Sequence, residues 1–251
     1  MKTLRNHVAV AAATLAVAAC SDGTGPTADD ALLYDVAVMA ADATLEDVSM
    51  WSQPFGFTSG PAAAPGRPGG GDGWTGEFSG TRSVTFYDGD GAQQDGYDPL
   101  TTAEIRISHE IMGEAAREDW SVSVHREREM RVSGLEGEET QRTWNGTGSE
   151  EVSSERALDG GVRSYDAVGA FTYQDVVVPI PGTTPRYPLS GTVTRSVTVT
   201  VTRADGERTR TVDIVITFDG TSVATALVNG EEVEIDLSTR RDRLPFRRLR
   251  R

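Results

Sequence analysis

The chain has 251 residues, a formal net charge of −14 and 37% apolar residues, enough for one core and too few for a membrane bundle. An acidic balance of this size repels phosphate backbones and argues against nucleic acid as a partner. A single cysteine excludes a disulfide framework, so packing and ladder hydrogen bonds must hold the fold.

Residues 1–19 place Lys2 and Arg5 ahead of an uncharged run from Val8 to Ala19, the pattern of a secretory signal. Val17-Ala18-Ala19-Cys20 then resembles the lipobox of bacterial lipoprotein signal peptides. That resemblance implies removal of the signal, lipidation of Cys20 and attachment to a membrane through the lipid. Ser21 after the cysteine implies, by the same resemblance, the outer membrane on its periplasmic side. The expected location is the bacterial cell envelope.

Residues 20–28 read as a short polar tether. Residues 29–53 predict one amphipathic helix, with Leu32, Val36, Met39, Ala40, Ala43 and Val48 at three- and four-residue steps. Thr27 or Asp29 suits its N-cap, and Gln53-Pro54 marks its end. Residues 54–76 are rich in Pro, Gly and Ala and read as a linker.

From residue 77 to 239 the period changes to two. Val84 and Phe86, then Ile105, Ile107, His109 and Ile111, then Val122, Val124, Met130 and Val132 alternate with polar neighbours. Val193, Val197, Val199 and Val201 are followed by Val212, Ile214, Ile216 and Phe218, and then by Val233, Ile235 and Leu237. Asp88-Gly89-Asp90-Gly91, Asp159-Gly160-Gly161, Asp205-Gly206 and Asn229-Gly230 punctuate these runs as turns. The predicted fold class is mainly β: an antiparallel meander of about ten strands with one N-terminal amphipathic helix. A half-barrel, a closed barrel and a sandwich all fit. The plan is similar to the half-barrel-plus-helix arrangement of periplasmic lipoprotein carriers. Outward Thr, Arg and Glu and the lack of aromatic girdles argue against a transmembrane barrel.

Candidate chemistry is sparse. Asp88, Asp90, Asp95 and Asp98 crowd one loop, a weak calcium candidate against the plainer reading of a solvated turn. The twelfth loop position, where a bidentate Glu would stand, is Pro99. His109 falls on the apolar side of its run and is expected in the core, whereas His125 falls on a polar side, so parity does not bring the two together. There is no Gly-x-Ser-x-Gly and no His-Glu-x-x-His, so no enzyme and no cofactor are expected. Asn145-Gly146-Thr147 reads as a turn.

The final residues, 240–251, form a basic tail with Arg240, Arg241, Arg243, Arg247, Arg248, Arg250 and Arg251 against one aspartate. Such a tail is a solvated end, or folds back on the acidic body, or contacts an anionic envelope component or lipid headgroup. Two functions follow. A curved sheet covered by the helix would hold a hydrophobic ligand or lipid. Alternatively, the chain is a structural or interaction lipoprotein engaging an envelope partner through loops or the Arg-rich tail.

Overall fold

Eleven strands follow one another along the chain in a computed structural model: β1 (Thr75–Asp88), β2 (Gln93–Gln94), β3 (Thr102–Arg117), β4 (Trp120–Ser133), β5 (Gln141–Leu158), β6 (Gly161–Pro179), β7 (Ser190–Arg203), β8 (Gly206–Thr217), β9 (Val223–Val228), β10 (Glu231–Asp236) and β11 (Phe246–Arg248). The structure describes residues 36, 43–45, 47–51, 75–158, 161–180, 182–204, 206–238 and 246–248, with only the backbone at 117, 158, 161 and 246–248. Cys20, the signal, the tether and the linker up to residue 74 therefore lie outside the described residues.

The strands form one antiparallel sheet in the order β11-β10-β9-β8-β7-β6-β5-β4-β3-β1-β2. It is the expected meander with one departure. The short β2 turns back onto the outer side of β1 through Phe86↔Gln94 and Tyr87↔Gln93, and β3 pairs with the other side of β1. The sheet remains open between β2 and β11.

Alternation decides which side is wet. Val193, Val197, Val199 and Val201 on β7 are buried, while Thr194 and Ser196 between them are exposed. Hydroxyls on the wet side pair across strands, Thr198 with Thr211 at 2.9 Å and Thr200 with Thr209 at 3.0 Å. Such cross-strand pairs explain the threonine-rich pattern without any role for it in catalysis. Asn229 (φ 49°) and Gly230 (φ 85°) close the β9–β10 hairpin as the sequence predicts, since a two-residue turn of this hand needs positive φ at both places.

Described residues 36, 43–45 and 47–51 are helical, within the predicted helix. Val36, Leu45, Val48 and Trp51 are buried in the same cluster as Ile107, Met130, Trp144, Tyr173, Val193 and Ile214 from the sheet and Phe218 just after β8. The helix thus supplies the second layer that a one-faced sheet needs. Its Trp51 ring stands edge-on to Tyr173 at 5.4 Å and to Phe218 at 6.0 Å, with Trp144 at 6.4 Å. No helix among the described residues is long and apolar enough to cross a membrane.

Asn145-Gly146-Thr147 is not a turn. It lies inside β5, where the register shifts between Trp144 and Gly146. Asn145 Oδ1 accepts from the Asp175 backbone N–H at 2.9 Å, and its amide donates to Asp175 Oδ1 at 3.2 Å. The turn-forming chemistry of Asn is spent on a bulge between two long strands.

Candidate functional site

Register sorts the sheet into two chemically different faces. On the inner face, Arg126 and Arg128 of β4 and Arg195 of β7 occupy positions that alternation reserves for apolar residues, and all three are buried. Each has a reason to be there. The helix delivers Asp47, fully buried, between Arg128 Nη2 at 3.0 Å and Arg195 Nη2. Arg126 pairs with Glu150 of β5 at 2.9 Å. Burial alone would push the Glu150 carboxyl up, but Arg126, Arg195 and Arg128 outweigh it and hold it below the usual carboxylate range. Tyr173 beside Asp47 is pushed the other way, first by burial and then by the Asp47 charge.

Phe171 forms a floor under this ionic group, with the Arg195 guanidinium 4.8 Å and that of Arg128 5.7 Å from its ring centre. The ring can lie there because β5 has Gly148 beneath it. A Cβ at 148 would come within 2.2 Å of the Phe171 ring and 2.5 Å of the Glu127 carbonyl oxygen. The combined arrangement locks the helix onto the sheet by charge as well as by packing.

His109 is in the core, as its parity predicts. It stands directly across from Arg82 on β1 and Arg128 on β4. Burial, then Arg128, Arg82 and Arg126, push its imidazole down to about 4. The unfolded chain binds a proton at 109 near the ordinary value of about 6.5, before the native chain does. Stability from this group is therefore complete above that value and is lost as pH falls from it toward 4. The expected loss is roughly 2 kcal/mol after allowance for residual solvent screening. Urea titrations of wild type and His109→Gln between these pH values check this: the variant's stability falls less steeply, and parallel curves contradict it.

The outer face, turned away from the helix, is acidic. Over 75–81, 108–116, 121–127, 149–155 and 164–168, the outward positions carry Glu77, Glu110, Glu114, Glu127, Glu151, Glu155 and Asp166, and no lysine or arginine. Part of this surface encloses an open hollow of about 970 Å³, lined by polar residues such as Ser123, His125 and Asp166 and by apolar ones such as Met112, Ala116 and Val122. At its margin His125 Nε2 lies 3.3 Å from Glu110 Oε1 and 3.6 Å from Glu127 Oε1. Among the described residues, these three are the one group of His, Asp or Glu whose ligand atoms all lie within 4.8 Å of each other.

The acidic turn that the sequence singled out is not brought together in that way. Asp88 Oδ1 accepts from the backbone N–H groups of Asp90 and Ala92 at 3.0 and 2.8 Å, and Asp98 Oδ1 accepts from Leu100 at 2.8 Å. These are turn-shaping bonds. Tyr97 in the same loop donates to Glu139 at 2.5 Å, and its hydroxyl is pushed up to about 12 by burial and then by that bond. The geometry fits a pinned turn better than a calcium loop.

Of the basic tail, Phe246–Arg248 pair with β10 through Ile235↔Phe246, Glu234↔Arg247 and Val233↔Arg248. The tail's backbone thus adds an edge strand to the acidic body, while its arginine side chains and residues 240–245 and 249–251 lie outside the described residues. Comparison of the chain with known protein families, curated proteins and solved structures found no match.

Proposed function

We propose that the chain is a lipid-anchored protein of the bacterial cell envelope, held by Cys20, whose β domain serves as an interaction scaffold. The lipobox-like Val17–Cys20 supports the address. The scaffold reading is supported by one observation above others: the apolar face of the sheet already has an occupant. Trp51 is 1% exposed between Trp144, Tyr173 and Phe218, and Asp47 is clamped by two arginines beside it. A hydrophobic ligand in that space would require the helix to withdraw and take the Asp47 carboxylate away from Arg128 and Arg195. An interaction through the acidic outer face or the basic tail requires no such rearrangement.

The anchor is tested in a bacterial host by labelling with radioactive palmitate and fractionation. The wild-type chain takes up label and sediments with membranes. Cys20→Ser takes up none and appears in the soluble periplasmic fraction. An unlabelled, soluble wild-type chain contradicts the anchor.

A further inference from the structure

The buried inner charges Asp47, Arg126, Arg128, Glu150 and Arg195 pair with one another and serve the core. The outer face has an acidic region whose charges are not balanced by lysine or arginine, and at one place it holds a nitrogen donor among the carboxylates. Glu110 and Glu127 stand directly opposite each other across β3 and β4. Like charges in that relation destabilise a ladder. The nearby Glu104 shows the ordinary remedy, being paired with Arg106 at 2.7 Å and with Arg131. Glu110 and Glu127 instead converge on His125, one pair further along β4.

We infer that Glu110, His125 and Glu127 form a binding site for a zinc-class divalent cation. The donor set is one imidazole nitrogen and two carboxylate oxygens, a combination that suits zinc and its neighbours better than calcium, which takes six or more oxygens. The spacing agrees as well. Ligand atoms about 2.1 Å from a tetrahedral ion lie roughly 3.4 Å apart. The His125 nitrogen is 3.3 and 3.6 Å from the two oxygens, which lie within 4.8 Å of each other, so closing the set around an ion draws the two carboxylates together.

The surroundings also fit. All three donors sit on paired strands of a continuous sheet, so their backbones are held without the ion. Thr81 Oγ1 donates to Glu110 Oε2 at 3.4 Å, which leaves Oε1 directed at His125 and orients the carboxylate from outside the site. Glu151 lies directly across from His125 on β5. His125 also lines the 970 Å³ hollow, so a fourth coordination position faces an open space of mixed polar and apolar lining. A site with three protein donors and one accessible position binds an exchangeable ligand as well as the metal. It is independent of the lipid anchor.

The test uses the untagged full chain carrying Cys20→Ser, so that the thiol contributes nothing. Equilibrium dialysis against low-micromolar Zn²⁺ gives one ion per chain, and Co²⁺ in its place gives the visible absorption of a four-coordinate site. His125→Ala and Glu127→Gln each weaken binding by more than about tenfold, since each removes one of three donors. Both substitutions are at solvent-accessible positions, and circular dichroism confirms that the variants remain folded. Asp90→Asn with Asp95→Asn in the acidic turn leaves zinc binding unchanged. The inference is overturned by the absence of saturable zinc binding, by binding that survives both donor substitutions, or by binding lost only in the turn variant.

Discussion

Asp47→Asn lowers the stability of the folded chain by about 3–5 kcal/mol. The carboxylate is fully buried between Arg128 and Arg195, which are themselves 4% and 1% exposed. An amide keeps the shape and one acceptor oxygen but removes the charge that offsets two guanidinium groups away from water. The penalty is that of stranded charge. The control follows from the same physics. Asp47→Leu combined with Arg128→Met and Arg195→Met removes all three charges and recovers most of the loss. Urea unfolding followed by fluorescence gives both numbers. A single variant within about 1 kcal/mol of wild type, or a triple variant no better than the single one, contradicts the clamp.

Trp51→Ala costs about 3–5 kcal/mol by a different route. Trp51 is 1% exposed and packs against three aromatic rings, on β5, on β6 and just after β8, so truncation opens a cavity that the paired strands cannot collapse into. It also removes the largest buried side chain among the described residues of the helix. The loss is expected mainly as faster unfolding if the helix docks after the sheet's transition state has formed. Stopped-flow unfolding in urea measures this. A variant with unchanged stability would mean that the helix does not pack as described.

Much of this architecture was legible in the residues. Period-two runs such as Ile105-Ile107-His109-Ile111 placed their strands and named the buried side, and the helix stripe correctly included Val36, Ala43 and Val48. Other parts needed the register. β5 carries Gly146, Gly148 and Glu150 at inward positions, so its buried side has little apolar pattern to read. β2 is two glutamines, positioned by the turn before it rather than by any pattern of its own. Asn145-Gly146 had the composition of a turn, but long flanking pairings on both sides won and turned it into a bulge.

The sites differ in the same way. Arg195 between Val193 and Val197, and Arg126 and Arg128 between Val124 and Met130, stand on apolar parity, a signal of buried partners that the expected strand pattern left unread. What sequence could not supply was Asp47, which lies 148 residues from Arg195 along the chain. Parity also placed His125 on a polar side but could not pair it with Glu110, since that neighbour depends on which residues form the β3–β4 hairpin. The acidic turn at 88–98 was conspicuous because its carboxylates are close in sequence. The structure uses two of them to shape the backbone instead.

The claim at the centre of this account is that the sheet is filled by its own helix and works through its surface. Native mass spectrometry of the mature Cys20→Ser chain, purified from the periplasm without detergent, tests it most directly. The account predicts the mass of the polypeptide with no more than bound metal ions, and no exchange with an added fluorescent fatty acid. A co-purified lipid that the fatty acid displaces would contradict it, and would mean that the helix yields its place to a ligand.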